Sequence, residues 1–217
     1  MPARDAGAHF PANRGRMGSN FIRCILFDFA DTLCSELYFT QLGPEFQSLA
    51  TEAIFAGRNK SRWSVPWCRG TLTSKDIAEH LSQLTEINPK RIPASLDEKC
   101  SHLEFNPNIW RFAQRQRAQG RHTAIVSINF DVFSRVVVSA HKFDRIFDVV
   151  VNSADYGVDD KIVLCAIAFS RLEGCTFDNS LLIDDQIKNV EAFRKRGGMA
   201  HQYTNDDKFL EWERKWF

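Results

Sequence analysis

Short apolar segments alternate with amphipathic stretches through the second half of the chain. The apolar segments are three to five residues long, and such short runs between turn signals are typical of buried strands. These predicted strands cover residues 123–126, 149–151, 181–183 and 199–203. The amphipathic stretches between them predict helices over 132–141, 162–172 and 190–196. Strands that alternate with helices predict βαβ units, a parallel sheet and right-handed crossovers.

The first half begins with one more apolar run, at residues 21–27, which ends at Asp28 and predicts a strand of the same sheet. Residues 35–105 then have a helical pattern. Thr73 is a predicted N-cap, because Asp76 follows three residues later as a capping box requires. The glycines, asparagine and proline of residues 57–70 predict a loop.

These elements predict an α/β fold, a Rossmann-like three-layer parallel sheet with a small α-helical domain. We expect a flexible extension over residues 1–20, an α/β core over 21–34 and 106–217, and a helical insertion over 35–105.

Composition narrows the function classes. Lys and Arg number 28 and Asp and Glu 27, so the net charge of +1 gives no electrostatic footprint for nucleic acid. The apolar runs are far shorter than the roughly 18–20 residues that cross a bilayer, so no membrane partner is expected. The first 20 residues contain no secretory h-region and the six cysteines form no CxxC pair, which favours a reduced, cytoplasmic protein.

Polar side chains follow the predicted strands at the point where each strand ends. Ligands of open α/β sheets bind at the carboxyl ends of the strands. The candidate positions include the polar residues at these strand ends, the alanine between two of them, and a lysine that opens the helix after the third strand. They are Asp28, Ala30, Asp31, Thr32, Ser127, Asn129, Lys161, Asp184 and Asp185.

This set of side chains indicates phosphoryl transfer. Three carboxylates at one edge need a compensating charge, and Mg²⁺ binds carboxylates together with phosphate oxygens. Ser127 and Lys161 would donate hydrogen bonds to the same phosphate oxygens. A carboxylate beside them can act as the nucleophile and form an aspartyl phosphate.

Four motifs in this order resemble the haloacid dehalogenase superfamily. They are FDFADTL at residues 27–33, AIVS at 124–127, the lysine that ends YGVDDK at 156–161, and LLIDD at 181–185. The resemblance spans about residues 21–205, and the insertion after the first motif is similar to the helical cap of the commonest subgroup.

The resemblance implies a role for each position. It implies a Mg²⁺-dependent phosphatase that acts on a small phosphorylated metabolite, as a monomer or homodimer. Thr32 would help to hold the first loop. The implied metal site consists of Asp28, which is also the nucleophile, the backbone carbonyl of Ala30, Asp184 and Asp185. The implied phosphate site consists of Ser127, Asn129 and Lys161.

The chain departs from the pattern of the superfamily at two positions. Ala30 stands where most phosphatases of the superfamily have a second Asp that protonates the leaving group, a contribution worth about 10²–10⁴-fold. Asp31 could substitute, the substrate could have a good leaving group, or activity could be low. Lys161 follows Gly157 by four residues instead of three and is not followed by the usual proline.

Other functions remain open at this point. A C–P hydrolase of the superfamily would use a lysine of the insertion as a Schiff base, and Lys60 and Lys75 are the candidates. A C–halogen hydrolase would work without metal, which the acidic pair Asp184 and Asp185 argues against. The loss of the acid at Ala30 also suits a catalytically weak or regulatory protein. A phospho-receiver domain is disfavoured because such domains are about half this length.

Overall fold

The computed structural model describes residues 22–36 and 38–217. The predicted extension over residues 1–20 lies outside these described residues, and so does the first residue of the predicted first strand. Five parallel strands form one sheet in the order β3-β2-β1-β4-β5. They are β1 Cys24–Phe27, β2 His122–Ser127, β3 Val149–Asn152, β4 Ser180–Asp184 and β5 Met199–Gln202. The prediction of a parallel α/β sheet is therefore confirmed.

The register of the sheet brings the predicted site to one edge. Phe27 at the end of β1 pairs with Ile125 of β2 on one side and with Ile183 of β4 on the other. The residues that follow these three positions therefore emerge together, and they include Asp28, Ser127 and Asp184.

Helices fill most of the chain from the end of β1 to about residue 105. They are α1 Pro44–Ala50, α2 Gly57–Asn59, α3 Val65–Cys68, α4 Ser74–Gln83 and α5 Arg91–Ser101, with π-helical turns at Thr51–Phe55 and Lys60–Ser64 and a 3₁₀ turn at Thr40–Leu42. Helix α4 begins at the predicted capping box, in which Thr73 Oγ1 accepts from the Asp76 backbone N–H and Asp76 accepts from Thr73.

The predicted loop over residues 57–70 is wrong, because helical turns cover residues 57–68. Gly57 opens this helical run, whereas Pro66 lies inside it, shortly after the π-helical turn Lys60–Ser64. Trp67 in α3 is fully buried, and its packing supports the helical conformation against the local breakers.

The remaining helices flank the sheet. They are α6 Pro107–Ala118, α7 Val138–Ala140, α8 Ser153–Tyr156, α9 Lys161–Phe169, α10 Ile187–Lys195 and α11 Asp206–Trp216, with a π-helical turn at Phe133–Val137 and 3₁₀ turns at Phe143–Arg145 and Phe177–Asn179. The three helices predicted in this half are present within a few residues of their expected bounds. Within the described ranges, no helix is both long and apolar enough to span a bilayer.

The sheet separates two apolar clusters, as the three-layer prediction requires. Ile25 and Phe27 of β1 point into one cluster, whereas Cys24 and Leu26 point into the other. Trp67 and other side chains of the helical insertion join the cluster that contains Phe27. The insertion thus shares packing with one face of the α/β core, and the proposed domain boundaries stay a prediction.

Candidate active site

Asp28 is the first residue after the central strand β1, and it is almost fully buried. Its backbone N–H donates to Ile183 O at 2.9 Å, which continues the strand pairing by one residue. Its carboxylate Oδ1 accepts from the Phe29 backbone N–H at 2.8 Å and from Lys161 Nζ at 2.7 Å. Both hydrogen bonds that the described residues make to this carboxylate therefore hold the same oxygen.

The burial of Asp28 changes its acidity. Loss of water raises the pKa of its carboxyl to about 7, although the charge of Lys161 opposes this rise. The neighbouring Asp184 carboxylate raises the pKa further. The carboxylate of Asp28 is therefore basic for its type, which suits a nucleophile provided that positive charge keeps it ionised.

Asp184 ends the neighbouring strand β4 and is fully buried. Its Oδ1 accepts from the Gln186 backbone N–H at 2.8 Å, and Asn189 Nδ2 donates to both carboxylate oxygens at 3.0 and 3.1 Å. Asn189 lies five residues further on, in α10. Its role was not predicted, although an amide one helical turn after an acidic pair is a signal that could have identified it.

Lys161 opens helix α9. Asp160 caps that helix by accepting from the backbone N–H groups of Ile162 and Val163. The ammonium group is buried, donates a hydrogen bond to Val126 O at 2.7 Å, and forms ion pairs with Asp28 Oδ1 at 2.7 Å and with Asp184 Oδ2 at 3.1 Å. Burial alone would lower the pKa of Lys161, but the two carboxylates raise it above its usual range. Three protein oxygens therefore lie within about 3 Å of the ammonium group and compensate its charge.

The predicted carboxylates form one cluster. Asp28, Asp184 and Asp185 each offer an oxygen within 4.8 Å of the others, which is a geometry that a divalent cation can bridge. Burial raises the pKa of Asp185, and Gln186 Nε2 donates to its carboxylate. The charge of Asp31 also raises the pKa of Asp185, so Asp31 lies close enough to interact electrostatically with this cluster.

Two hydroxyl groups beside this cluster are buried without a hydrogen-bond partner among the described residues. They are Ser127 Oγ, at the end of β2, and Thr32 Oγ1, in the turn after β1. An unsatisfied buried hydroxyl is unfavourable by about 1–3 kcal/mol. A bound anion that accepts from Ser127 would remove this penalty, so the donors and the carboxylates together fit a metal ion and a phosphate.

The other predicted positions line a cavity beside the cluster. Asn129 is buried, and its Oδ1 accepts from Tyr38 Oη at 3.1 Å and from the Phe130 backbone N–H at 2.8 Å. Ala30 and Asp31 are exposed, and Asp31 adopts a left-handed φ of 54° while its N–H donates to Cys34 O. The Asp31 carboxyl therefore sits in the same turn as Ala30 and faces no fixed partner among the described side chains.

The cavity has a volume of about 540 Å³ and lies between the sheet edge and the helical insertion. Its floor includes Ala30, Asp31 and Asn129, and its wall from the insertion includes Gln47, Lys60 and aromatic rings. Of the two lysines considered for Schiff-base chemistry, only Lys60 lines this cavity. Lys75 is 82% exposed and faces Glu79 on its own helix.

Comparisons with known proteins agree with this geometry at the level of the fold. A scan against protein-family models and a search of the curated proteins find no match. Many solved structures are similar, among them the HAD family enzyme BT-2542 from Bacteroides thetaiotaomicron in complex with magnesium and inorganic phosphate. That match has a TM-score of 0.65 and 15% identity, and it covers 87% of this chain and 98% of that chain.

Two further similar structures represent a hydrolase and a dehalogenase. A predicted HAD-like family hydrolase from Porphyromonas gingivalis matches with a TM-score of 0.62 and 16% identity, over 90% of this chain and 97% of that one. The L-2-haloacid dehalogenase from Xanthobacter autotrophicus, with chloropropionic acid covalently bound, matches with a TM-score of 0.55 and 15% identity, over 88% and 81% of the two chains. This chain therefore has the fold of the haloacid dehalogenase superfamily.

Proposed function

We propose that this chain is a hydrolase of the haloacid dehalogenase superfamily that transfers a phosphoryl group from a small phosphorylated metabolite to water. The observation that carries this proposal is the cluster at the sheet edge. A buried Asp28 carboxylate, held by Lys161, lies beside two further carboxylates and the unpartnered hydroxyl of Ser127. These are the groups that an aspartyl-phosphate reaction requires.

Each side chain has a defined part in this proposal. Because Asp28 Oδ1 is held by Lys161 and by the Phe29 N–H, Oδ2 is the oxygen that attacks phosphorus. Lys161 keeps this carboxylate ionised and oriented, and Ser127 Oγ donates to a phosphate oxygen. Water then hydrolyses the aspartyl phosphate, which releases inorganic phosphate and restores the Asp28 carboxylate.

Mg²⁺ is the proposed cofactor, and Asp28, Asp184, Asp185 and the backbone carbonyl of Ala30 would hold it. When bound, a metal of this kind neutralises negative charge on the transferring phosphoryl group. The clustered carboxylates support this assignment, and BT-2542, which has the same fold, binds magnesium and inorganic phosphate.

The decisive test is turnover of a generic aryl phosphate with Mg²⁺ by the Asp28→Asn variant. This change keeps the shape of the side chain but removes the nucleophile, so we expect kcat to fall by at least about 10³-fold. Asp207→Asn, an exposed substitution at the start of α11, is the matched control and should retain full activity. Turnover by Asp28→Asn that equals the control would exclude the mechanism.

A second candidate function is C–P bond cleavage, because Lys60 lines the cavity beside the cluster. Lys60 would then form a Schiff base with a carbonyl of the substrate. This candidate predicts that borohydride together with a β-keto phosphonate traps the wild type and not Lys60→Arg, and that phosphate monoesters are not hydrolysed.

A further inference from the structure

We propose that the leaving group of the substrate is an organic acid that departs as an anion, and that Lys60 receives it. Acyl, enol and aryl phosphates belong to this class. The inference rests on the proposed phosphoryl transfer at Asp28 and specifies the substrate class of the same site. It connects two features of the structure, the alanine at position 30 and the composition of the cavity wall.

Position 30 offers the leaving group no proton, because Ala30 lies at the floor of the cavity and has no acidic side chain. Asp31 also lines the cavity, and the Asp31→Asn variant described below tests it as a substitute acid. The hydroxyl of Tyr38 also lines the cavity, but it donates to Asn129 Oδ1, and burial raises its pKa beyond the usual range. Lys161 does not line the cavity, and its ammonium is occupied by a hydrogen bond to Val126 O and by ion pairs with Asp28 and Asp184.

When Asp28 attacks, the P–O bond to the leaving group breaks and its electron pair stays on the leaving oxygen. Without a proton, that oxygen departs as an anion, which is favourable only for an acidic leaving group such as a carboxylate, enolate or phenolate. A nearby cation lowers the energy of this anion.

Lys60 is the cation that can stabilise the departing anion. Among the described residues that line the cavity, it is the only lysine or arginine. The salt bridges found within the described ranges do not include Lys60, so its ammonium is available to a ligand. Glu36, an acidic neighbour in the lining, is already bound by Lys99 and by the Glu104 backbone N–H.

Phe29, Phe55 and Phe130 contribute apolar surface to the lining, which favours an organic group over inorganic phosphate. Gln47 Oε1 also lines the cavity, is buried, and accepts no hydrogen bond from the described residues. A hydroxyl or N–H group on the leaving group would satisfy this oxygen.

The experiment compares leaving groups at constant Mg²⁺. We would measure kcat/KM for substituted phenyl phosphates of graded acidity, for acetyl phosphate and for glycerol 3-phosphate. The expected result is a steep decrease of kcat/KM as the leaving group becomes less acidic, with glycerol 3-phosphate the slowest. Ala30→Asp should flatten this dependence and accelerate glycerol 3-phosphate by about 10²-fold, since it restores an acid.

Lys60→Gln should lower kcat/KM for acetyl phosphate by about tenfold, the scale of one lost ionic hydrogen bond. Lys75→Gln, the exposed lysine outside the cavity, is the matched control and should leave it unchanged. Equal effects of these two substitutions would overturn the role of Lys60. A borohydride-trapped Lys60 would overturn it too.

Two outcomes would overturn the leaving-group class while the proposed phosphatase survives. One is a flat dependence on leaving-group acidity in the wild type. The other is efficient hydrolysis of glycerol 3-phosphate that Asp31→Asn abolishes, which would assign the missing acid to Asp31. Failure to turn over any phosphate compound would instead overturn the proposed function itself, so the two failures are distinguishable.

Discussion

The sheet edge and the helical insertion meet at one cavity, but they are built in different ways. At the sheet edge, Asp28, Lys161 and Asp184 are all buried and satisfy one another through short ionic contacts. On the insertion side, Lys60 and Gln47 reach the cavity without such partners. Buried charges need fixed partners, whereas groups that await a ligand must remain unpaired. The sheet edge is therefore suited to chemistry and the insertion to substrate choice.

The largest effect that would test this contrast is the loss of Lys161. Lys161→Met removes the charge shared by Asp28 and Asp184, and a broken buried ion pair typically destabilises a protein by about 3–5 kcal/mol. Urea unfolding in the presence of EDTA should show a loss of this size. Added Mg²⁺ should restore part of it, because a metal supplies the missing positive charge.

Lys60→Met is the matched control for that prediction, since it removes a lysine from the other side of the cavity. Its free energy of unfolding should stay within about 0.5 kcal/mol of the wild type. If Lys60→Met destabilised the fold as much as Lys161→Met, the contrast between the two sides of the cavity would be wrong.

A smaller effect is expected where the insertion attaches to the core. Asp131, which follows the second motif, accepts from Trp67 Nε1 at 2.6 Å and from the Ser74 N–H and hydroxyl at 3.0 and 2.6 Å. Trp67 in turn stacks on Phe130, a cavity residue, at 3.8 Å. Asp131→Ala leaves these donors unsatisfied, so we expect a destabilisation of about 2 kcal/mol.

The same substitution should raise KM more than it lowers kcat, because it disturbs the cavity wall and leaves the carboxylate cluster in place. Asp144→Ala, an exposed position, is the control for stability and kinetics. A decrease of kcat without a change of KM would mean that the attachment of the insertion acts on the chemistry itself.

An effect of about the same size concerns a partly buried base that has no acidic partner among the described residues. His201 on β5 stacks on Trp212, and burial together with the charge of Arg194 lowers the pKa of His201 to about 4. The folded state thus favours neutral His201. The stability that this preference contributes is fully present above the ordinary histidine pKa of about 6.5, and it is lost as the pH falls towards 4.

We expect the free energy of unfolding to decrease by about 2 kcal/mol over this pH range. This is less than the full pKa shift would give, because the side chain is only partly buried and water screens part of the effect. Urea unfolding measured between pH 7 and 4 would detect it, and His201→Gln should reduce the pH dependence by that amount. An unchanged pH dependence in His201→Gln would show that other groups control acid stability. His201 can be compared directly with Lys161. Both are basic side chains removed from water, but two carboxylates keep Lys161 charged, whereas His201 is kept neutral.

Much of the fold could be predicted from the sequence because it depends on local patterns. Apolar runs identified all five strands, and the capping pair Thr73 and Asp76 identified the start of α4. The loop predicted over residues 57–70 failed because it depended on local breakers alone. Gly57 is tolerated where the helical run begins, and the burial of Trp67 supports the helical conformation around Pro66.

The candidate site was predictable to a similar extent and for a similar reason. Parallel pairing brings the residues after β1, β2 and β4 to one edge, so Asp28, Ser127 and Asp184 could be grouped from their positions alone. The support of Asp184 by Asn189 was missed, since it depends on the angle at which α10 leaves the sheet.

The sequence by itself determined the strands, the polar residues that end them and the absence of an acid at position 30. Only the tertiary structure decided that Lys161 forms ion pairs with both Asp28 and Asp184, and that Lys60 and not Lys75 lines the cavity. Strand periodicity and helix caps are set by neighbouring residues and can be inferred from a short segment. The direction in which the insertion packs depends on contacts between residues far apart in the chain, and these form only when the sheet and the insertion share a core.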